Sequence, residues 1–318
     1  MMDDCTYPVD ECDVEDKQKL RAFREKRSQW KMWLDDDPDH AILSTVQELV
    51  WRDTQFATIA QLARDNPDGP LNTSLIAEAL IGGQVAQQVM AIRRLTDRTR
   101  NRISLWRLIT DVKGSLHLMT RENFVCHDGL PYDYAAVSAA ERADRVPGIA
   151  FWGPTSGPKA WSTSARAHEQ FDRVAGISPD DRQRDDVIPK SVFVRLENML
   201  ASSGASRIAD WSHAFLAHAG AQVDRKSVDN VKVGNDKISA AIRELARITE
   251  YLSSEVLWIG GYGSSLMPTA QYDVFEKLEN PVAPQDRQQD AAAVWQQKTS
   301  DWDEALAGVE DLLSPPEG

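Results

Sequence analysis

The stretch ILSTVQELVWRDTQFATIAQL, residues 42–62, decides the fold class. Ile42, Val46, Leu49, Val50, Phe56, Ile59 and Leu62 recur at intervals of three and four, the spacing that puts side chains on one helical face. The run Asn66-Pro67-Asp68-Gly69-Pro70 ends this helix, since proline and glycine both break its hydrogen-bond ladder. The same period extends to either side. Upstream, Leu20, Phe23, Trp30 and Trp33 predict a helix over Lys17–Trp33, and Pro38 suits the first turn of the next. Downstream, Asn72 or Thr73 caps a third helix to about Arg98, carrying Leu75, Leu80, Val85, Val89, Met90 and Ile92. Gly82-Gly83 in its middle costs about 1 kcal/mol per glycine relative to alanine, and close approach of a neighbouring helix would explain the pair. Ser104 caps a fourth helix from Leu105 to about Met119, and Thr120-Arg121-Glu122 opens a shorter one.

The helical pattern resumes over 191–202, from Ser206 to about Ala219, and from Asn235 to Ile259. The last of these carries Ile238, Ile242, Leu245, Ile248, Leu252 and Leu257, and Gly260-Gly261-Tyr262-Gly263 stops it. A final helix within Gln285–Leu313 presents Trp295, Trp302, Leu306, Val309 and Leu312. Strand-like alternation is scarce. The expected class is therefore all-α: an antiparallel helical bundle with an irregular insertion and an added C-terminal helix. Residues 1–16 read as an acidic, solvated, disordered arm, 17–280 as one helical domain, and 281–318 as a C-terminal helical segment. The insertion, about 127–190, holds isolated glycines and prolines between helical pieces at Tyr134–Arg145 and Ser164–Val174. Gly153-x-x-x-Gly157-Pro158-Lys159 within it lacks the spacing and the Lys-Ser/Thr ending of a phosphate loop and is set aside.

Bulk composition narrows the function classes. A formal net charge of −13 excludes a protein that coats nucleic acid over its whole surface, so any such contact needs a local basic patch. Cys5, Cys12 and Cys126 form no disulfide framework, which points to a reducing compartment. The acidic arm is no signal peptide, and apolar runs are too short for a membrane helix, so a cytoplasmic protein with no membrane contact is expected.

Two clusters carry chemistry. Between Arg93 and Arg107 stand six arginines and one aspartate, among them Arg94, Arg98, Arg100 and Arg102. One reading makes them complements of a helix dipole and partners of local carboxylates. The other makes them a phosphate-binding patch, since the guanidinium fork suits bidentate phosphate contacts. The second cluster is Arg207-Ile-Ala-Asp210-Trp-Ser-His213-Ala-Phe-Leu-Ala-His218. On a helix Asp210 and His213 touch, so the carboxylate can orient the imidazole. His213 and His218 stand about 140° apart around the axis and make no metal pair. No HExxH motif occurs, and neither metal nor other cofactor is expected. An arginine beside a histidine can activate a ribose hydroxyl and stabilise phosphorane-like charge; the bland reading is two histidines on a packing helix.

IRRLTDRTRNRISLWRLITDV (92–112), LMTRENF (118–124), WSHAFLAHAG (211–220), GGYGSSLMP (260–268) and QYDVFEKLEN (271–280) together resemble the AbiU-type abortive-infection proteins of the HEPN superfamily. The likeness touches roughly residues 40–125 and 191–280. It implies a HEPN-like helical bundle that forms a homodimer and cleaves RNA without metal in phage defence or a stress response. It implies catalytic roles for Arg207, Asp210, His213 and His218, with Arg94, Arg98, Arg100 and Arg102 holding RNA. The superfamily signature, an arginine and then a histidine after four to six residues, is met by Arg207 and His213. Counted back from His218, the arginine's place falls on Trp211, Ser212 or His213, and none is arginine. The superfamily also includes inactive members, so a scaffold that binds a protein partner of a defence system is the alternative reading.

Overall fold

The computed structural model describes residues 5–72, 74–143, 153–212, 233–259, 266–276 and 288–309. Helices dominate them, and their only extended pairing is an isolated antiparallel bridge between Thr120 and Val187. No helix among the described residues is long and apolar enough to cross a membrane.

Helix α1 (Lys17–Lys31) starts at Asp16, whose carboxylate accepts from the amides of Gln18 and Lys19. It buries Leu20, Phe23 and Trp30 as its period predicts, then widens into a π-turn over Met32–Asp36 that carries Trp33 inward. Pro38 does not open the next helix. It lies in a turn, and α2 (Ile42–Asp65) begins after Ala41. The face of α2 changes along its length. Ile42, Val46, Leu49 and Val50 are buried, but Phe56 and Ile59 are only half-buried, and Asp53, Thr54 and Thr58 go inside instead. The buried threonines remain matched because each hydroxyl donates to a carbonyl four residues back: Thr54 to Val50 at 3.0 Å and Thr58 to Thr54 at 2.9 Å.

Helix α3 (Ser74–Thr96) packs on α2 and runs against α9 (Ala205–Ser212). The expected close approach at Gly82-Gly83 is absent. A Cβ built at either glycine meets nothing within 4 Å, so the pair lies on an open face. Helix α4 (Leu105–Gly114) stops earlier than its apolar pattern suggests, giving way to a tight turn at Leu116–Leu118. Thr120 then caps α5 (Arg121–Cys126), its hydroxyl lying 3.4 Å from the Asn123 amide.

The described parts of the segment 127–190 are built into the same core. Helices α6 (Tyr134–Ala143) and α7 (Trp161–Ala175) pack together, and Ala167, Phe171 and Val174 join the main apolar cluster. Helix α8 (Lys190–Ser202) lies on α4, and α10 (Asn235–Glu250) lies against α2, α3, α8 and α9. The face of α10 is a stripe of fully buried Ile238, Ile242, Leu245 and Ile248, each contributing roughly 1.5–3 kcal/mol relative to exposure. Its end also widens into a π-turn, Tyr251–Val256. Helix α11 (Gln288–Leu306) closes the bundle against α2 and α10, burying Trp302 and seating Trp295 on Trp51 with ring centroids 5.0 Å apart.

The amino-terminal arm is corrected most. From residue 5 it packs, burying Cys12 and Val14. Arg24 reaches out of α1 to donate to the carbonyls of Tyr7 (2.8 Å) and His127 (2.7 Å) and to Cys12 Sγ (3.0 Å). Tyr7 covers both Gly129 and Gly157, each at positive φ, where a side chain would collide with its ring. Gly157, part of the rejected phosphate-loop look-alike, is thus a close-packing position.

Candidate nucleic-acid interface

The arginine cluster falls where α3 ends and the chain turns into α4. Ser104 holds this turn shut. Its hydroxyl donates to the Asp97 carbonyl at 2.6 Å and accepts from the Arg107 amide at 3.1 Å. Asp97 accepts from the Thr99 amide at 2.8 Å. Partial burial works against its charge, but the Thr99 hydrogen bonds and the nearby Arg102 and Arg93 outweigh it and hold the carboxyl below its ordinary range. The local acid is therefore ionised and engaged within the turn.

The arginines around it point outward. Arg94, Arg98, Arg100 and Arg102 are exposed, and none forms an ion pair with a described carboxylate. Two arginines are braced on tryptophan faces: Arg107 over Trp33 at 4.1 Å and Arg98 over Trp106 at 5.6 Å. Stacking of this kind orients a guanidinium without neutralising it. A groove of about 420 Å³ runs between Thr45 and His40 on one hand and Met90, Arg93, Arg94 and Arg102 on the other. A second, of about 670 Å³, is lined by Arg98, Arg100, Trp106, Arg107 and Thr110. The turn thus carries cations over two neighbouring depressions, and for Arg94, Arg98, Arg100 and Arg102 the reading in which the arginines serve local carboxylates finds no ion pair among the described residues.

The second cluster is placed in part. Arg207 and Asp210 are both exposed on α9. Ser212 ends the described part of that helix, its Oγ 3.3 Å from Sδ of Met90, which also lines the first groove. His213 and His218 lie outside the described residues, as does the 260–265 glycine turn.

A different charged cluster, not anticipated from sequence, ties the 127–190 segment down. The fully buried Arg121 meets Asp172 at 2.6 Å and Asp186 at 2.8 Å, and Arg182 holds the other Asp172 oxygen at 2.5 Å. Arg182 also donates to the Tyr134 hydroxyl at 2.9 Å. His168 sits beside them between the rings of Tyr132 and Tyr134. Its buried ring is pushed down to about 4, first by loss of solvent and then by the Arg182 and Arg121 charges. Arg121 is 51 and 65 residues from its two carboxylates, so no local spacing signalled the network.

No protein-family model, curated protein or solved structure matches this chain.

Proposed function

We propose that this protein is a HEPN-like RNA-binding protein of phage defence or a stress response, which grips the phosphodiester backbone at the Arg93–Arg107 turn. The observation that carries the reading is the set of four exposed arginines, Arg94, Arg98, Arg100 and Arg102, none in an ion pair with a carboxylate among the described residues, in a chain of net charge −13. Concentrating exposed guanidinium groups beside two grooves suits a ligand with repeated phosphates. The Trp106 ring in the second groove adds an aromatic surface near the bases.

On the same reading the protein is a metal-independent endoribonuclease, and two copies contribute to one cleft. His213 or His218 takes the proton of a ribose 2′-hydroxyl, whose oxygen attacks the adjacent phosphorus. The 5′-oxygen leaves and is protonated, giving a cyclic phosphate and a free 5′-hydroxyl. Arg207 meets the charge that gathers on phosphorus-bound oxygens, and Asp210 orients the imidazole. The exposure of Arg207 and Asp210 on α9 supports these roles.

Binding and turnover are tested separately. Fluorescence anisotropy with a labelled single-stranded RNA should show affinity falling with salt, at a log–log slope near about −3 for four phosphate contacts. The R98A/R100A/R102A variant should flatten that slope by about two. Equal binding by the variant and the wild type would remove the interface. Incubation of the RNA with chelator present should give cyclic-phosphate ends that either H213A or H218A abolishes. Binding without cleavage in the wild type would leave the inactive, partner-binding scaffold, and sedimentation would then measure the expected dimer.

A further inference from the structure

A third cleft lies further along α2, where Asp53–Arg64 faces α10 and α11. It encloses about 520 Å³, within the range of small-molecule sites. Phe56, Ala60 and Val294 give it apolar wall, and Asp53, Arg243 and Lys298 give it charge. Its nearest α2 residue, Asp53, is about 12 Å along the helix from Thr45 in the arginine-lined groove, and the cleft shares no lining residue with the two grooves at the arginine turn.

The chemistry centres on two groups that are only partly matched. Asp53 is only 6% exposed, unusual for a carboxylate. Ser239 donates to its Oδ1, but Oδ2 accepts no hydrogen bond, with Lys298 Nζ 3.6 Å away. Arg243 is the complement. Its guanidinium lies 5.7 Å from the Trp302 ring centroid, meets no described carboxylate, and its buried Nε has no hydrogen-bond partner. A buried acceptor and a buried donor left open at one cleft destabilise the fold unless something supplies their partners. The lining carries three carboxylates, Asp53, Asp236 and Asp301, and three cations, Arg64, Arg243 and Lys298, so the cleft favours neither a bare cation nor a bare anion.

We propose that this cleft binds a small zwitterion whose ammonium group meets Asp53 Oδ2 and whose carboxylate or phosphate meets Arg243. Apolar Phe56 and Val294 take up the ligand's carbon frame. The Ser239 hydroxyl, the Lys298 ammonium and the ligand's ammonium would then complete the Asp53 shell, and the ligand's anion would complete that of Arg243.

Isothermal titration calorimetry on the full chain tests this with L-glutamine, L-phenylalanine and L-glutamate as aminocarboxylates and phosphoethanolamine as the amine phosphate. Propylamine and propionate, which carry one charge each, serve as controls. At least one zwitterion should bind with Kd below about 1 mM, and the controls should not saturate. D53N and R243Q should each weaken that binding at least about tenfold. A60W, which fills the cleft without touching the Asp53–Ser239 pair, should abolish it and keep the wild-type helical circular dichroism. Aminocarboxylate against phosphoethanolamine then identifies the anionic group. No binding by any zwitterion, binding by the single-charge controls, or binding unchanged in D53N and A60W would overturn the proposal.

Discussion

The His168 imidazole donates from Nε2 to the Tyr132 carbonyl at 3.0 Å, and its Nδ1 is buried without a hydrogen-bond partner. A proton added there finds no acceptor and faces the Arg182 and Arg121 charges, offset only in part by Asp172. The ring therefore stays neutral in the fold until about pH 4, whereas an unfolded histidine takes its proton near 6.5. Above pH 6.5 both states are neutral and no stability is lost; as pH falls from 6.5 towards 4, the unfolded chain gains the proton and the fold weakens. The expected loss is roughly 3 kcal/mol at most. His168→Gln, whose amide can replace the Nε2 donor, should show a shallower fall of the urea midpoint across that window than the wild type. Parallel curves would show that this ring does not govern the acid limb. The arginine turn was legible at this scale because its members are neighbours in sequence. Arg121 and Asp53 were not, since what makes them unusual is who stands opposite them after folding.

Helix periods were read well where the apolar face is continuous, as in α1 and α10, because a uniform stripe needs no knowledge of its partner. They misled in α2, where the buried face passes from aliphatic residues to Asp53, Thr54 and Thr58. Threonines matched within their own helix, and an aspartate matched from α10, can go inside without an apolar signature. Gly82-Gly83 in α3 was misread for a related reason. Glycine permits close approach but does not require it, and here both positions are open. Neither has positive φ, so alanine fits the backbone. G82A and G83A should each raise stability by about 0.5–1 kcal/mol, read as an increase in urea midpoint. A decrease in either would mean that some partner needs the bare backbone there.

For the whole molecule, the amino-terminal arm changes the architecture most. Acidic composition suggested a solvated tail, yet Cys12 and Val14 sit in the main core and the arm supplies acceptors to Arg24. Asp13 takes Arg184 at 3.0 Å and accepts from the Tyr132 amide at 2.8 Å, coupling the arm to the 127–190 segment. Deleting residues 1–14 should destabilise the whole bundle by roughly 3–5 kcal/mol, because it uncovers apolar surface and strips partners from a buried cation. An unchanged urea midpoint for the shortened chain would show that the arm only rests on the surface.

The sequence by itself determined that the chain is helical, where most helices begin, and that cations gather at one turn in an acidic protein. Those properties are local: period, caps and charge runs act within a few residues of one another. Tertiary structure alone decided that the arm is core, that the irregular segment is clamped by Arg121, and that Asp53 and Arg243 share a cleft. Each depends on burial and on partners distant in the chain, and a solvent-excluded charge acquires its meaning only from the groups folded around it.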